Sequence, residues 1–387
     1  MTDSELSTAL VRPTNFVYGA VSSLTKPRAV TAVPSLGPLA AFTGTFRGNG
    51  LNTIFRPDNT ATPTPLPTPL PKPSDNILEL NLTAETLSFS PSLGSVPNRG
   101  EVQGDIFLNG VPYLQTINDI TVPTQPVGIH FEPGLWMIVP ATNDPEEGVT
   151  LARMASIPHG TTINAQGTFS EADGPPKIPA VDITPFVIGT NPPKPVPFPS
   201  QTATAEGTAR IPQDLAPFIA AGTLTQDILT DPNTLLRNHI AKQKITSTTT
   251  IFISTAPTAP LFGGGTDNIA FLLGNQAGSV PNANAVQMQA VFWIETVEHT
   301  IHIPIFRLGQ PPLVVQAATG EAGQPVPRFK VTPTVEITEP RQITVRTTQI
   351  QHSQRVLLNF NGLSWPHVSV ATLVPSDPIS VPPSVWS

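Results

Sequence analysis

Short segments in which apolar and polar residues alternate recur along this chain, the period of a strand that buries one face. Ile77–Phe89 (ILELNLTAETLSF) shows the pattern best: Leu78, Leu80 and Leu82 share one face, Glu79 and Asn81 the other. The same signal predicts strands over Ala41–Phe55, Asp105–Gln115, Gly128–Pro140 and Val149–Ile157. It returns over Ile245–Ser254, Ala270–Leu273, Ala285–Ile303, Ile337–Thr347, Arg355–Phe360 and His367–Val374. Asn109-Gly110, set between apolar runs, predicts a hairpin turn. Gly44, Gly48 and Gly50 punctuate the first strand, where glycine marks a bend, a bulge or a close backbone approach. GTFRGNG (44–50) is only superficially like a phosphate loop, because no helix follows it.

One segment has helical periodicity. Asp231-Pro232 suits a helix start, and Leu235, Leu236, His239 and Ile240 form an apolar stripe. Lys242 and Lys244 stand at the C-terminal end, where the helix dipole favours cations. A weaker helix is predicted over Gln213–Ala221. About ten to twelve strands around one or two helices predict an all-β barrel or sandwich with a helical insertion. No repeat period is visible, which argues against a propeller or solenoid.

Composition sharpens this. The 387 residues include 47 prolines and 27 glycines, which excludes long helices and favours short strands joined by stiff turns. ATPTPLPTPLPKP (61–73) is a polyproline II spacer, and PPKPVPFPS (192–200) is a second connector. A net charge of −7 without a basic block makes nucleic acid or an anionic membrane surface an unexpected partner. Absence of cysteine removes disulfides, thiolate metal sites and cysteine nucleophiles. No window reaches the length of a membrane span. The N-terminus carries Asp3 and Glu5 and has no signal-peptide pattern, so a soluble, cytoplasmic protein is the expectation.

No metalloprotease, nucleophile-elbow, Walker or EF-hand motif occurs. Candidate chemistry therefore rests on histidine and arginine. His130 and Glu132 are two apart in GIHFEPG (128–134), so on a strand they share a face and form a potential acid/base couple, or simply a polar pair. His159 in IPHGT (157–161) sits at a strand end, a place for a ligand or proton donor, or for a turn histidine. His367 follows Trp365-Pro366 and could pack beneath the indole. His299 and His302 point to opposite faces of a strand and cannot easily share a metal, and His239 belongs to the helix stripe. Arg56, Arg99 and Arg153 stand among apolar or turn residues. Each is either a structural partner of an acid such as Glu79, Glu132 or Glu295, or an anchor for a carboxylate or propionate.

Several longer segments occur together: GLNTIFRP (50–57), LELNLTAETL (78–87), VPNRG (96–100), HFEPGL (130–135) and RMASIPHGTTINAQG (153–167). GGGTDN (263–268), FWIETV (292–297) and LNFNGLSWPHVSVATL (358–373) complete the set. Over residues 40–375 the chain resembles a bacterial and fungal family labelled heme-binding, with barrels of the lipocalin and nitrobindin type. The resemblance implies an antiparallel, lipocalin-like (calycin-type) β-barrel. Residues 39–375 then form one domain after an irregular lead-in (1–38) and before a Pro-rich tail (376–387). Insertions fall at about 190–244 and about 304–343. It also implies that His130, His159 and His367, which lie inside the matching motifs, carry the site.

Three functions follow from these residues. The first is a heme-binding barrel with peroxidase-like activity, His159 or His130 as the axial iron ligand and Arg56 or Arg99 near the propionates. The second is a cofactor-free enzyme or carrier for an apolar ligand, with His130, Glu132 and Arg153 as acid/base and anchor. The third is a structural protein that presents its Pro-rich segments.

Overall fold

The computed structural model describes residues 33–70, 76–205, 207–257, 263–275, 281–318 and 324–386. Residues 1–32 of the expected lead-in, and 71–73 of the first Pro-rich run, lie outside the described residues. Ten strands form the framework: β1 Gly44–Arg56, β2 Ile77–Phe89, β3 Ile106–Asp119, β4 Val127–Val139, β5 Thr150–Ile157, β6 Thr161–Asp173, β7 Lys244–Ser254, β8 Asn284–Ile303, β9 Arg341–Phe360 and β10 Leu363–Pro375. Each pairs antiparallel with the next in sequence, and β10 closes on β1. The protein is thus a closed ten-stranded antiparallel barrel, as expected. Closure joins the last strand to the first, so no strand of the framework is an edge strand.

Inside, one half of the barrel is apolar. Phe46, Leu87, Phe89, Trp136, Ile251 and Phe292 fill it, and Leu39 and Phe42 at the 3₁₀ turn Gly37–Ala41 close that end. Phe42 stacks on Phe89 at 4.6 Å, and Trp136 meets Phe292 edge-on at 5.1 Å. Such aromatic pairs contribute about 0.5–1.5 kcal/mol beyond their buried area.

A second core lies on the outside. Residues 174–243 connect β6 to β7 and carry three short helices, α1 Ala216–Ala220, α2 Gln226–Thr230 and α3 Asn233–Ile240. Their Ile183, Leu224, Ile228 and Leu236 pack on Leu51, Phe55, Leu78, Leu80, Val368 and Val370 of the barrel wall. Burying each such aliphatic side chain is worth roughly 1.5–3 kcal/mol. This outer cover has a consequence for the interior. Leu78, Leu80 and Leu82 of β2 point outward under the insertion, so by alternation its Glu85 points into the lumen, as does Leu87.

A third core joins the protruding ends of β8 and β9 to a small sheet of Leu313–Gln316, Arg328–Val331 and Ile379–Ser380. The stretch expected as a tail is therefore partly structured: Ile379–Ser380 adds a parallel strand, and Trp386 is buried with the Arg341 guanidinium 5.1 Å from its ring.

Several elements differ from the sequence expectation. Asn109-Gly110 is not a turn: β3 runs straight through, and Asn109 Nδ2 donates to the Pro34 carbonyl at 2.8 Å while its Oδ1 accepts from Gly94 N at 3.1 Å. Ala270–Leu273 is one turn of helix, α4, with Ile269, Phe271 and Leu273 exposed, so no pairing strand decided its conformation. Ile337–Thr347 and Arg355–Phe360 belong to a stretch dominated by the single long β9. β6 carries few large apolar residues and was not expected as a strand; pairing on both sides holds it. Pro112, Pro133 and Pro366 stand within strands, so proline is not confined to connectors. Gly48 and Gly50 are ladder residues. A Cβ on Gly48 would lie 1.8 Å from the Thr372 carbonyl oxygen, so glycine admits a close approach of β10. No described helix is long and apolar enough to cross a membrane.

Candidate functional site

Above the apolar half, the inward positions of β2, β3, β4, β5 and β9 are polar. Glu132, on β4, is the hub. It is fully buried and accepts hydrogen bonds from three side chains: Tyr113 Oη, Arg153 Nη2 at 2.5 Å, and His130 Nε2 at 3.1 Å. Cross-strand register brings them together, because Tyr113, Glu132 and Arg153 occupy inward positions of the adjacent strands β3, β4 and β5. Gly134 makes room, since a Cβ there would come within 2.5 Å of the Tyr113 ring.

Arg153 is 1% exposed and uses its whole donor fork. Nε donates to Tyr113 Oη at 2.7 Å, Nη1 to Gln354 Oε1 at 2.8 Å, and Nη2 to Gln115 Oε1 at 3.3 Å as well as to Glu132. Its guanidinium carbon lies 5.3 Å from the Tyr113 and Phe292 ring centres and 5.5 Å from that of Trp136. A buried charge is tolerated only with such complete pairing. The electrostatics follow. Burial alone would raise the Glu132 carboxyl, but Arg153, His130 and Tyr113 outweigh it and hold it at about 2. Burial pushes the Tyr113 phenol upward, so it stays a donor.

The network continues across the lumen. Gln115 Nε2 donates to Glu85 Oε1 at 2.8 Å, and both Glu85 oxygens lie 3.0 Å from His352 Nε2. His352 stacks on Phe292 at 5.4 Å.

At the end opposite the aromatic plug, three imidazoles gather. His130 faces His159, which lies in the β5–β6 turn, with ring centres 5.7 Å apart. His367 is near enough to both that their charges would disfavour its own. Each ring has one nitrogen engaged. His130 Nε2 meets Glu132, His159 bonds the Ile129 backbone, and His367 bonds the Thr53 backbone with Asn52 Nδ2 at 3.5 Å from Nε2. The buried Nδ1 of His367 has no hydrogen-bond partner. Burial, then the neighbouring imidazoles, lowers His159 and pulls His367 down to about 3, so both rings are neutral at pH 7. Among the described residues, no three His, Asp or Glu side chains converge on one metal position.

Of the expected site residues, the structure brings together His130, Glu132, Arg153, His159 and His367. His367 is a lumen residue rather than packing beneath Trp365, which instead stacks on Phe360 at 4.6 Å. Arg56 ends β1 and pairs with Glu79 at 3.1 Å, one of the structural pairs the sequence suggested. Arg99 stands apart, 75% exposed and 4.0 Å from Asp105. Tyr113, Gln115, Gln354, Glu85 and His352 escaped the sequence reading. No local pattern marks them, and only a known register would have placed them opposite Glu132 or one another. Compared with protein-family models, curated proteins and solved structures, the chain matches none.

Proposed function

We propose that the barrel holds a small ligand at its imidazole-bearing end, and that the ligand is heme, whose iron His159 would hold. The observation that carries this is the state of the three rings. Each has one nitrogen committed to a protein partner, which is how an iron-ligating histidine is oriented, and burial holds His367 neutral. A neutral imidazole offers a lone pair from its other nitrogen. His159 lies in an exposed turn, whereas His130 and His367 stand deeper. Inward positions of β8 and β9 in this half add Met288 and Val356, an apolar wall suited to a porphyrin face. Arg56, at the end of β1, pairs with Glu79 at the surface and would have to exchange that partner for a propionate; Arg153 is consumed by buried Glu132. Heme, when bound, would supply electron-transfer or peroxide chemistry. The chain's own share is to orient His130 through Glu132 and to keep that carboxylate ionised.

Hemin titration of the purified protein tests this. A sharp Soret band that saturates at one equivalent and is lost in His159→Ala supports the proposal. Uptake equal to that of denatured protein, indifferent to His159→Ala and His130→Ala, refutes it. A second reading rests on the Glu132–His130 bond: a carboxylate-oriented imidazole is a general base, and an apolar ligand co-purifying without iron would favour a cofactor-free enzyme or carrier.

A further inference from the structure

We propose that segment 263–273, between β7 and β8, is a strap that positions His159, with Asn268 as its positioning residue. What the placement accomplishes rests on the proposed role of His159; the placement itself rests on the ladders around the mouth.

The turn that carries His159 overruns those ladders on both sides. β4 and β5 pair from Gly134/Ala155 to Val139/Thr150, so their ladder stops before His130 and the end of β5. β7 pairs with β6 from Gln166 to Asp173 and falls short of its first residues. A hairpin loop that outruns its neighbours swings freely unless another segment takes up the open edge.

The strap takes it up. GGGTDN (263–268) supplies a short strand, Gly265–Asn268, which pairs with β6 from Asn164 to Thr161, the stretch that β7 leaves open. Gly264 enters at φ +88°, and a Cβ on it would stand 2.7 Å from the Asn164 carbonyl oxygen, so glycine permits the approach. Asn268 then joins its own strand to two others. Its Oδ1 accepts from Thr161 Oγ1 at 2.8 Å and from Ala285 N at 3.1 Å, and its Nδ2 donates to the Ala285 carbonyl at 2.8 Å. The first residue of β6 is thereby fixed to the start of β8 across the end of β7. Ile269 completes the hold, its N–H donating to the Gly160 carbonyl at 2.8 Å. Gly160 closes the turn with its own N–H on the Ile157 carbonyl. At φ +102° it leaves room for Ile269 and Leu272, whose side chains would lie 2.7 and 3.2 Å from a Cβ there. His159 stands directly before this clamped glycine. Its ring is thus delivered to the Ile129 backbone, with its centre 5.7 Å from that of His130.

The test is the nuclear Overhauser contact between the His130 and His159 rings in the histidine-labelled full chain. Hydrogen exchange at the Ile269 amide and thermal unfolding are read alongside. Asn268→Ala and Thr161→Val should each abolish the ring contact and speed Ile269 exchange about tenfold, the equivalent of one hydrogen bond. Thr161→Ser keeps the hydroxyl and should retain both. Leu236→Ala, which opens a cavity under the insertion, should lower the melting temperature and leave the ring contact intact. Hemin affinity should fall about tenfold in Asn268→Ala and hold in Thr161→Ser. Wild type that takes up no hemin refutes the heme reading alone, and the ring contact still decides the strap. A ring contact absent from wild type, surviving in both Asn268→Ala and Thr161→Val, or lost equally in Leu236→Ala overturns the proposal.

Discussion

Replacing Arg153 with methionine tests the account of the lumen most directly. The substitution keeps an apolar chain among the Tyr113, Trp136 and Phe292 rings but removes the cation that faces fully buried Glu132. Two routes give the magnitude. Breaking a buried ion pair by deleting one partner costs roughly 3–5 kcal/mol, because the other charge is stranded. Independently, Glu132 is lowered from 4.5 to about 2, a difference worth about 3 kcal/mol. The sign is fixed by linkage. Folded Glu132 binds its proton less tightly than the unfolded chain does, so its contribution is complete above pH 4.5 and is lost as the pH falls towards 2. In Arg153→Met the carboxyl is left with its burial, and the variant regains a neutral group by taking up a proton. Its deficit is therefore largest at pH 7 and shrinks in acid. Urea unfolding followed by fluorescence of the buried Trp136, Trp293 and Trp365 measures this for wild type, Arg153→Met, Glu132→Gln and the double variant. The double variant should recover much of the loss, since it strands no charge. A deficit below about 1 kcal/mol at pH 7, or a double variant no more stable than Arg153→Met, refutes the reasoning.

Two further outcomes follow from buried groups. Glu295, raised to about 8 by burial, contributes stability that is present below pH 4.5 and is lost as the pH rises through 8. Glu295→Gln should therefore flatten the alkaline fall in stability, by an amount on the order of 4 kcal/mol between pH 5 and pH 9; identical urea curves for both proteins across that range would exclude a buried neutral acid. Gly134→Ala should cost about 1–3 kcal/mol in thermal unfolding, because its Cβ would stand 2.5 Å from the Tyr113 ring. A melting curve unchanged from wild type would show that Tyr113 does not need that gap.

Much of the candidate site could be read along single strands. His130 and Glu132 are two residues apart, and alternation alone put them on one face, where they are 3.1 Å apart. Arg153 and Arg56 were suspect because charge is scarce around them, and both found acids the sequence had named, Glu132 and Glu79. Partners on other strands were hidden. His352 and Glu85 are 267 positions apart, and nothing local links them. β6 was hidden for a similar reason, since Ala165 and Gly167 signal no strand until β5 and β7 flank them.

By itself the sequence determined the strands with clear alternation, the helical insertion, the stiff proline connectors and the absence of thiol chemistry, because these depend on local backbone preference and composition. Only the tertiary structure decided which face of each strand became the interior. The alternation of β2 defines two faces without naming the inside, and intuition would send its leucines there. The insertion instead buries Leu78 and Leu80 against the outer wall, which turns Glu85 into the lumen. A polar, imidazole-bearing interior thus results from an apolar cover packed on the outside, a long-range contact that no local pattern encodes.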